Sequence, residues 1–159
     1  MEISEQDRDF LRMACEIATE NIDRGGGPFG AVIVKDGEII ATGSNTVTID
    51  NDPTAHAEVN AIRKACRMTG NFKLGGCVVY CSCEPCPMCL SALYWAGVKC
   101  IYYGNTKAEA RDINFDDDFI YEEIARHRDM RRIHCIHIDE PTAINHFRKW
   151  AEKADKEEY

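Results

Sequence analysis

Apolar positions recur first at helical spacing. Phe10, Met13, Ala14, Ile17, Ala18 and Asn21 fall on one stripe, the 3.6-residue period of an amphipathic helix. Ser4 stands where an N-cap belongs, and Gly25-Gly26-Gly27 closes the pattern. The period then changes. Ala31-Val32-Ile33-Val34 and Glu38-Ile39-Ile40-Ala41-Thr42 read as strands, and Asp36-Gly37 between them is a dipeptide that tight hairpin turns favour. A second helix is predicted from Thr54 or Ala55, just after Pro53, to about Met68, and a third from Pro85 to Gly97. Cys77–Cys81 before the third helix and Lys99–Tyr103 after it read as short strands.

Beyond Gly104 the signals weaken. Asn114–Asp118 reads as a loop and Phe119–Ala125 as one or two helical turns. Ile133, Cys135, His137 and Ile138 suggest a last strand, and Thr142–Lys153 a terminal helix. This order predicts an α/β protein with a mixed central sheet of about five strands and helices on both faces. A chain of 159 residues is expected to form a single domain, 1–159.

Composition narrows the partners. The chain is 45% hydrophobic and 29% charged, as globular proteins are. Nineteen basic against twenty-seven acidic residues leave a net charge of −8. That balance disfavours nucleic acid, whose binding rests on Lys and Arg against phosphates. No stretch is long and apolar enough to span a membrane, and the opening residues carry acids rather than a signal-peptide pattern. A cytoplasmic protein without membrane partners is expected. Nine cysteines are an odd number, so disulfides alone cannot use them all, and thiols reserved for metal or catalysis are the better expectation.

Two short runs carry that chemistry: His56-Ala57-Glu58 and Pro85-Cys86-Pro87-Met88-Cys89. Both sit at predicted helix starts, with one strand between the helices. If the second helix runs away from a sheet edge and the strand runs back, the two helix N-termini converge and gather His56, Cys86 and Cys89. Imidazole nitrogen and thiolate sulfur suit tetrahedral zinc, and three protein ligands leave a position for water, as in catalytic sites. The positive end of a helix favours the thiolate form. Zinc brings the pKa of such a water to ~7, and Glu58, two residues beyond the histidine, is placed to shuttle its proton. This combination suits hydrolytic removal of ammonia from an amino-substituted ring carbon. A closed structural zinc site, with Cys81 or Cys83 as fourth ligand, is the non-enzymatic alternative. Cys83, Cys86 and Cys89 also space like part of an iron–sulfur run, but the position where the next cysteine belongs is Leu93. Cys15, Cys66, Cys77, Cys100 and Cys135 read as fillers of apolar faces.

The H-x-E and P-C-x-x-C pair is the signature of zinc nucleobase deaminases. The chain resembles the cytidine-deaminase-like superfamily and, within it, the small bacterial-type guanine deaminases. The resemblance covers nearly the whole length. It runs through Gly27–Gly37, Asn51–Glu58 and Ser82–Cys89, which tRNA adenosine deaminases share, and through Phe115-Asp116-Asp117 and Glu157-Glu158-Tyr159, which are more specific to guanine deaminases. It implies a three-layer α/β/α fold, one zinc ion per chain held by His56, Cys86 and Cys89, and Glu58 as catalytic proton shuttle. It implies Asn45 and Phe29 in the pocket for a purine base, Asp117 accepting hydrogen bonds from guanine N–H groups, and Tyr159 closing the site. It also implies a homodimer whose C-terminal segments (about 140–159) are exchanged, so that Trp95 and Tyr159 serve the partner's site. Guanine presents N–H donors, and acceptors on Asn45 and Asp117 would be left unpaired by an analogue lacking them. Guanosine, cytidine or tRNA adenosine stand as alternative substrates. The basic stretch 126–132 matches no motif and reads as a solvated helix end or loop.

Overall fold

The computed structural model describes residues 3–159. The chain divides into two compact units, one running to Tyr121 and the other spanning Glu122–Tyr159. The first opens with helix α1 (Glu5–Asp23). Ser4 caps it in a reciprocal pair: the Ser4 hydroxyl accepts from Asp7 N–H, and the Asp7 carboxylate accepts from Ser4 N–H. Strands β1 (Gly27–Lys35) and β2 (Glu38–Asn45) follow. Asp36 and Gly37, both at positive φ, make the tight turn that the dipeptide predicted.

After a short helix α2 (Val47–Asp50) come α3 (Ala57–Thr69), β3 (Val78–Cys83), α4 (Pro87–Ala96) and β4 (Cys100–Asn105). The strands form one sheet in the order β2-β1-β3-β4. β1 is antiparallel to both its neighbours, and β3 and β4 are parallel. Successive side chains of a strand face opposite ways, which explains the continuous apolar run in β1. Val32 and Val34 pack with Tyr80 and Ala14 of α1 on one face, while Ala31 and Ile33 join Ala57, Ala61, Ala65 and Leu93 of α3 and α4 on the other. Helices therefore flank both faces of the sheet. Gly43 of β2 allows α3 to lie close, since a Cβ there would overlap the Ala57 carbonyl oxygen.

The sheet has four strands rather than about five. Among the described residues, 131–140 form no strand, and Ile133, Ile136 and Ile138 are exposed. Alternating apolar residues make a strand only where a neighbour takes up the backbone N–H and C=O groups, and no neighbour pairs here. Conversely, α5 (Lys107–Asp112) was not expected. Its Thr106 hydroxyl accepts from Glu109 N–H while the Glu109 carboxylate accepts from Thr106 N–H. Helix α6 (Asp118–Ala125) follows where turns of helix were predicted.

The second unit holds the end of α6, two 3-10 turns and helix α7 (Asn145–Glu152), inside the predicted terminal helix. The basic stretch is partly tied down within this unit. Arg126 pairs with Glu123 at 2.8 Å, and Arg131 donates to the carbonyls of Ile124 and Arg126. Glu123 also accepts from the Arg132 backbone N–H at 2.6 Å.

Candidate active site

The local sequence at two helix starts builds the site. His56 and Cys86 are the N-caps of α3 and α4, and Pro87 suits the first helical position, where no N–H partner is needed. Sγ of Cys86 accepts the Cys89 N–H at 3.5 Å. The two helix starts converge as the sequence predicted: His56 Nδ1 lies 3.5 Å from Sγ of Cys86 and 3.5 Å from Sγ of Cys89.

These ligand atoms all lie within 4.8 Å of one another, and no further His, Cys, Asp or Glu joins them among the described residues. Zn–N bonds of ~2.0–2.1 Å and Zn–S bonds of ~2.3 Å at tetrahedral angles put nitrogen and sulfur roughly 3.5 Å apart. The donor set and its edges therefore fit zinc, and neither Cys81 nor Cys83 closes the group as a fourth ligand. The Cys86 thiol is lowered to about 4, first by the hydrogen bond from Cys89 and then by His56, against the opposing effect of burial. Cys89 is raised because it donates to Cys86 and is buried. His56 is raised, chiefly by its hydrogen bond with Cys86.

Glu58 lies in the first turn of α3 and is only 8% exposed. Burial raises its carboxyl, opposed by hydrogen bonds to its own backbone and to Cys89. It thus sits beside the ligand group without belonging to it.

A cavity of about 690 Å³ opens over this floor and is lined by Phe29, Asn45, His56, Glu58, Cys86 and Asp117 among others. The register of β1 and β2 explains how Phe29 reaches it. Gly27 pairs with Asn45 and Gly30 with Ser44, so Pro28 and Phe29 are extra residues in a bulge, a device that re-aims side chains. The Phe29 ring meets Phe115 edge-on, with centroids 4.9 Å apart. Asn45 Oδ1 accepts from Val47 N–H at 3.2 Å, so the group that Asn45 turns to a ligand is its amide nitrogen, a donor rather than the acceptor expected from the sequence. Asp117 is raised, chiefly by burial.

Trp95 on α4 is 64% exposed and does not line this cavity. Tyr159, in the second unit, is 76% exposed. Lys107, Glu84 and Phe115 line it as well. The sequence signal for Lys107 was the Thr106-x-x-Glu109 capping pattern, which places it at a helix start.

Residues 4–105 match the cytidine and deoxycytidylate deaminase zinc-binding region. The chain belongs to this family. Within the deaminases, it is 50% identical to the guanine deaminase of Bacillus subtilis over 151 residues, 94% of this chain and 97% of that protein. The X-ray structure of the Bacillus subtilis guanine deaminase superimposes with a TM-score of 0.94 over 96% of this chain and 98% of that one. The tRNA-specific adenosine deaminase of Aquifex aeolicus is 37% identical over 141 residues, 89% of this chain and 81% of its own. A structure solved in complex with 2,6-diaminopurine is 28% identical, with a TM-score of 0.67 over 74% of this chain and 65% of that one. The deaminase family binds zinc, in keeping with the His56, Cys86 and Cys89 group.

Proposed function

We propose that this chain hydrolyses guanine to xanthine and ammonia, with Glu58 as the catalytic acid and base. The observation that carries the reading is the buried Glu58 carboxyl beside the His56–Cys86–Cys89 group, at the floor of a cavity with Phe29, Asn45 and Asp117 on its walls. The 50% identity to a guanine deaminase over nearly all of both chains supports the choice of base.

His56 Nδ1 and the sulfurs of Cys86 and Cys89 would hold one zinc ion per chain, which supplies, when bound, the Lewis acidity that makes water nucleophilic at neutral pH. Glu58 moves the protons. It accepts one from the water whose oxygen bonds to C2 and passes it to ring N3. It then moves the remaining hydroxyl proton to the exocyclic amine, the C2–N bond breaks, and ammonia leaves. One water is consumed and one ammonia released. Burial raises the Glu58 carboxyl above its ordinary value, which makes it a better proton acceptor.

The walls orient the base. Phe29, braced by Phe115, packs against its face. Asn45, with Oδ1 engaged by Val47, donates from Nδ2 to the O6 or N7 edge. The Asp117 carboxylate accepts from guanine N–H groups. An isostere lacking those donors leaves a half-buried carboxylate unpaired, the kind of mismatch that discriminates strongly.

A cytoplasmic homodimer with exchanged C-terminal segments belongs to the same reading, with Trp95 and Tyr159 contributed to the partner's site. The exposed Ile133, Ile136, Ile138 and Phe147 support it, because exposed apolar surface marks contact with another chain. Light scattering of the purified protein tests the dimer, and a monomeric mass refutes it.

The activity is tested by ammonia release from guanine, guanosine, adenine and cytosine with zinc-loaded protein. Guanine is expected to yield xanthine. Release from none of them refutes the enzyme, and faster release from another base reassigns the substrate.

A further inference from the structure

One buried polar group lies just behind the cavity, outside the machinery above. Asn21, in the last turn of α1, is 2% exposed. It ends a stripe of otherwise apolar residues, at a position where a hydrophobic side chain would satisfy packing alone. Its Nδ2 donates to the carbonyl of Asn45 at 2.7 Å and to the carbonyl of Gly27 at 2.8 Å. Its own backbone carbonyl accepts from Gly26 N–H at 3.0 Å and Arg24 N–H at 3.1 Å.

The place of these bonds matters more than their number. Gly27 and Asn45 form the last pair of the β1–β2 ladder, on the far side of the bulge that carries Pro28 and Phe29. A bulge disrupts the ladder locally, so the Gly27–Asn45 pair is cut off from the regular pairing that resumes at Gly30 and Ser44. The two hydrogens of one buried amide brace this isolated pair. Close approach is built in: a Cβ at Gly26 would overlap both Asn21 Nδ2 and the Asn45 carbonyl oxygen. The Asn45 side chain is then oriented by Val47 N–H. Gly25, Gly26, Gly27, Phe29 and Asn45 all line the cavity, whereas Asn21 does not.

We infer that Asn21 is a positioning residue for base recognition: through the carbonyls of Asn45 and Gly27, it holds Asn45 and the glycine rim in the arrangement that binds the purine. This rests on the guanine reading above. The ligand group and Glu58 lie on α3 and α4, which Asn21 does not touch through any of these bonds. Loss of Asn21 is therefore expected in base affinity and not in metal retention or chemistry.

The test compares wild type, Asn21→Ala and Asn21→Ser by steady-state kinetics on guanine, with zinc content measured on the same samples. Asn21→Ser keeps one short donor that cannot reach both carbonyls. For Asn21→Ala, KM is expected to rise by about tenfold or more, equivalent to about 1.4 kcal/mol. Its kcat should stay within about threefold and its zinc content unchanged, the pattern of a lost binding interaction. Asn21→Ser should fall between wild type and Asn21→Ala. Unchanged KM in folded variants, a fall in kcat or zinc at constant KM, or failure of both variants to fold overturns the inference. Wild type inactive on guanine but active on another base removes the guanine reading instead, and is seen before any variant is compared.

Discussion

Lys107 Nζ lies 2.7 Å from Asp118 Oδ1, one residue along from the carboxylate proposed to meet the base. The three consecutive aspartates thereby divide their work. Asp116 Oδ1 accepts from Asp118 N–H at 3.1 Å. Asp118 takes the cations of Lys107 and, at 3.5 Å, Arg111. Asp116 and Asp117 both line the cavity, and Asp118 does not. Lys107 is itself placed by the start of α5, where Glu84 accepts its backbone N–H.

Removing the Lys107 charge should loosen the loop that carries Asp117. For Lys107→Met, KM for guanine is expected to rise roughly three- to tenfold with kcat nearly unchanged, the signature of lost binding. The thermal midpoint should move little, because this ion pair is partly exposed and solvent-screened. Lys107→Arg should retain most of the affinity. A KM equal to wild type in Lys107→Met would detach the loop from substrate binding.

Glu58→Gln keeps shape and removes the proton carrier. Turnover of guanine is expected to drop by at least about 10²- to 10⁴-fold, the usual contribution of a positioned acid–base group, while zinc content stays at the wild-type level. Loss of zinc with the activity would make Glu58 a structural support instead. Metal analysis beside the rate assay separates the two.

Gly43→Ala tests the contact between sheet and site. Its added methyl overlaps the Ala57 carbonyl oxygen, between His56 and Glu58. Overpacking of this kind typically costs about 1–3 kcal/mol, readable as a lower urea midpoint. The displacement falls on the first turn of α3, so guanine turnover should fall as well. A stable, fully active Gly43→Ala would mean that the helix start tolerates a shift.

The opposite face of the sheet sets a pH dependence of stability. The Tyr80 hydroxyl donates to Asp7 Oδ1 at 2.6 Å. Asp7 is held below the usual carboxylate range, first by the Ser4 hydroxyl and then by Tyr80. A depressed acid stabilises the fold above its unfolded value, near 3.9, and this stability is lost as pH falls through the folded value. Tyr80 is raised, mainly by burial and then by Asp7. Its contribution is complete below the unfolded value, near 10, and is lost as pH rises through the folded one. Denaturation midpoints of Tyr80→Phe should be lower than wild type at neutral pH and flatter against pH at both ends. Parallel curves for the two proteins would exclude the pair as the cause.

Much of the site could be read before the fold was seen. The chemistry of His56, Glu58, Cys86 and Cys89 was legible because residue type and spacing restrict each other, and helix-start signals put both runs at the same end of their helices. The hairpin was legible from Asp36-Gly37, whose conformation is local. Phe29 was different: the strand predicted from periodicity begins at Ala31, its pocket role is implied by the family resemblance, and the pairing of Gly27 with Asn45 and Gly30 with Ser44 shows the bulge that carries it. Asn21 was counted within an apolar stripe, where a lone polar residue was itself the unread signal. The expected strand at 133–138 failed because alternation describes one strand's faces and says nothing of a neighbour. Helix α5 carries its start signal in Thr106 and Glu109, but six residues are too few for apolar spacing to mark it.

His56 caps α3 without contributing a side-chain hydrogen bond to it. Most helices fasten that end with a hydroxyl or carboxylate; here the imidazole is committed elsewhere. Ligation can therefore act as the fastener, tying the opening turns of two helices to one point. Because whatever binds the native state selectively also stabilises it, scarcity of the ion should thin the population of intact molecules as well as idle them. Competence and durability would then rise and fall on a single titration.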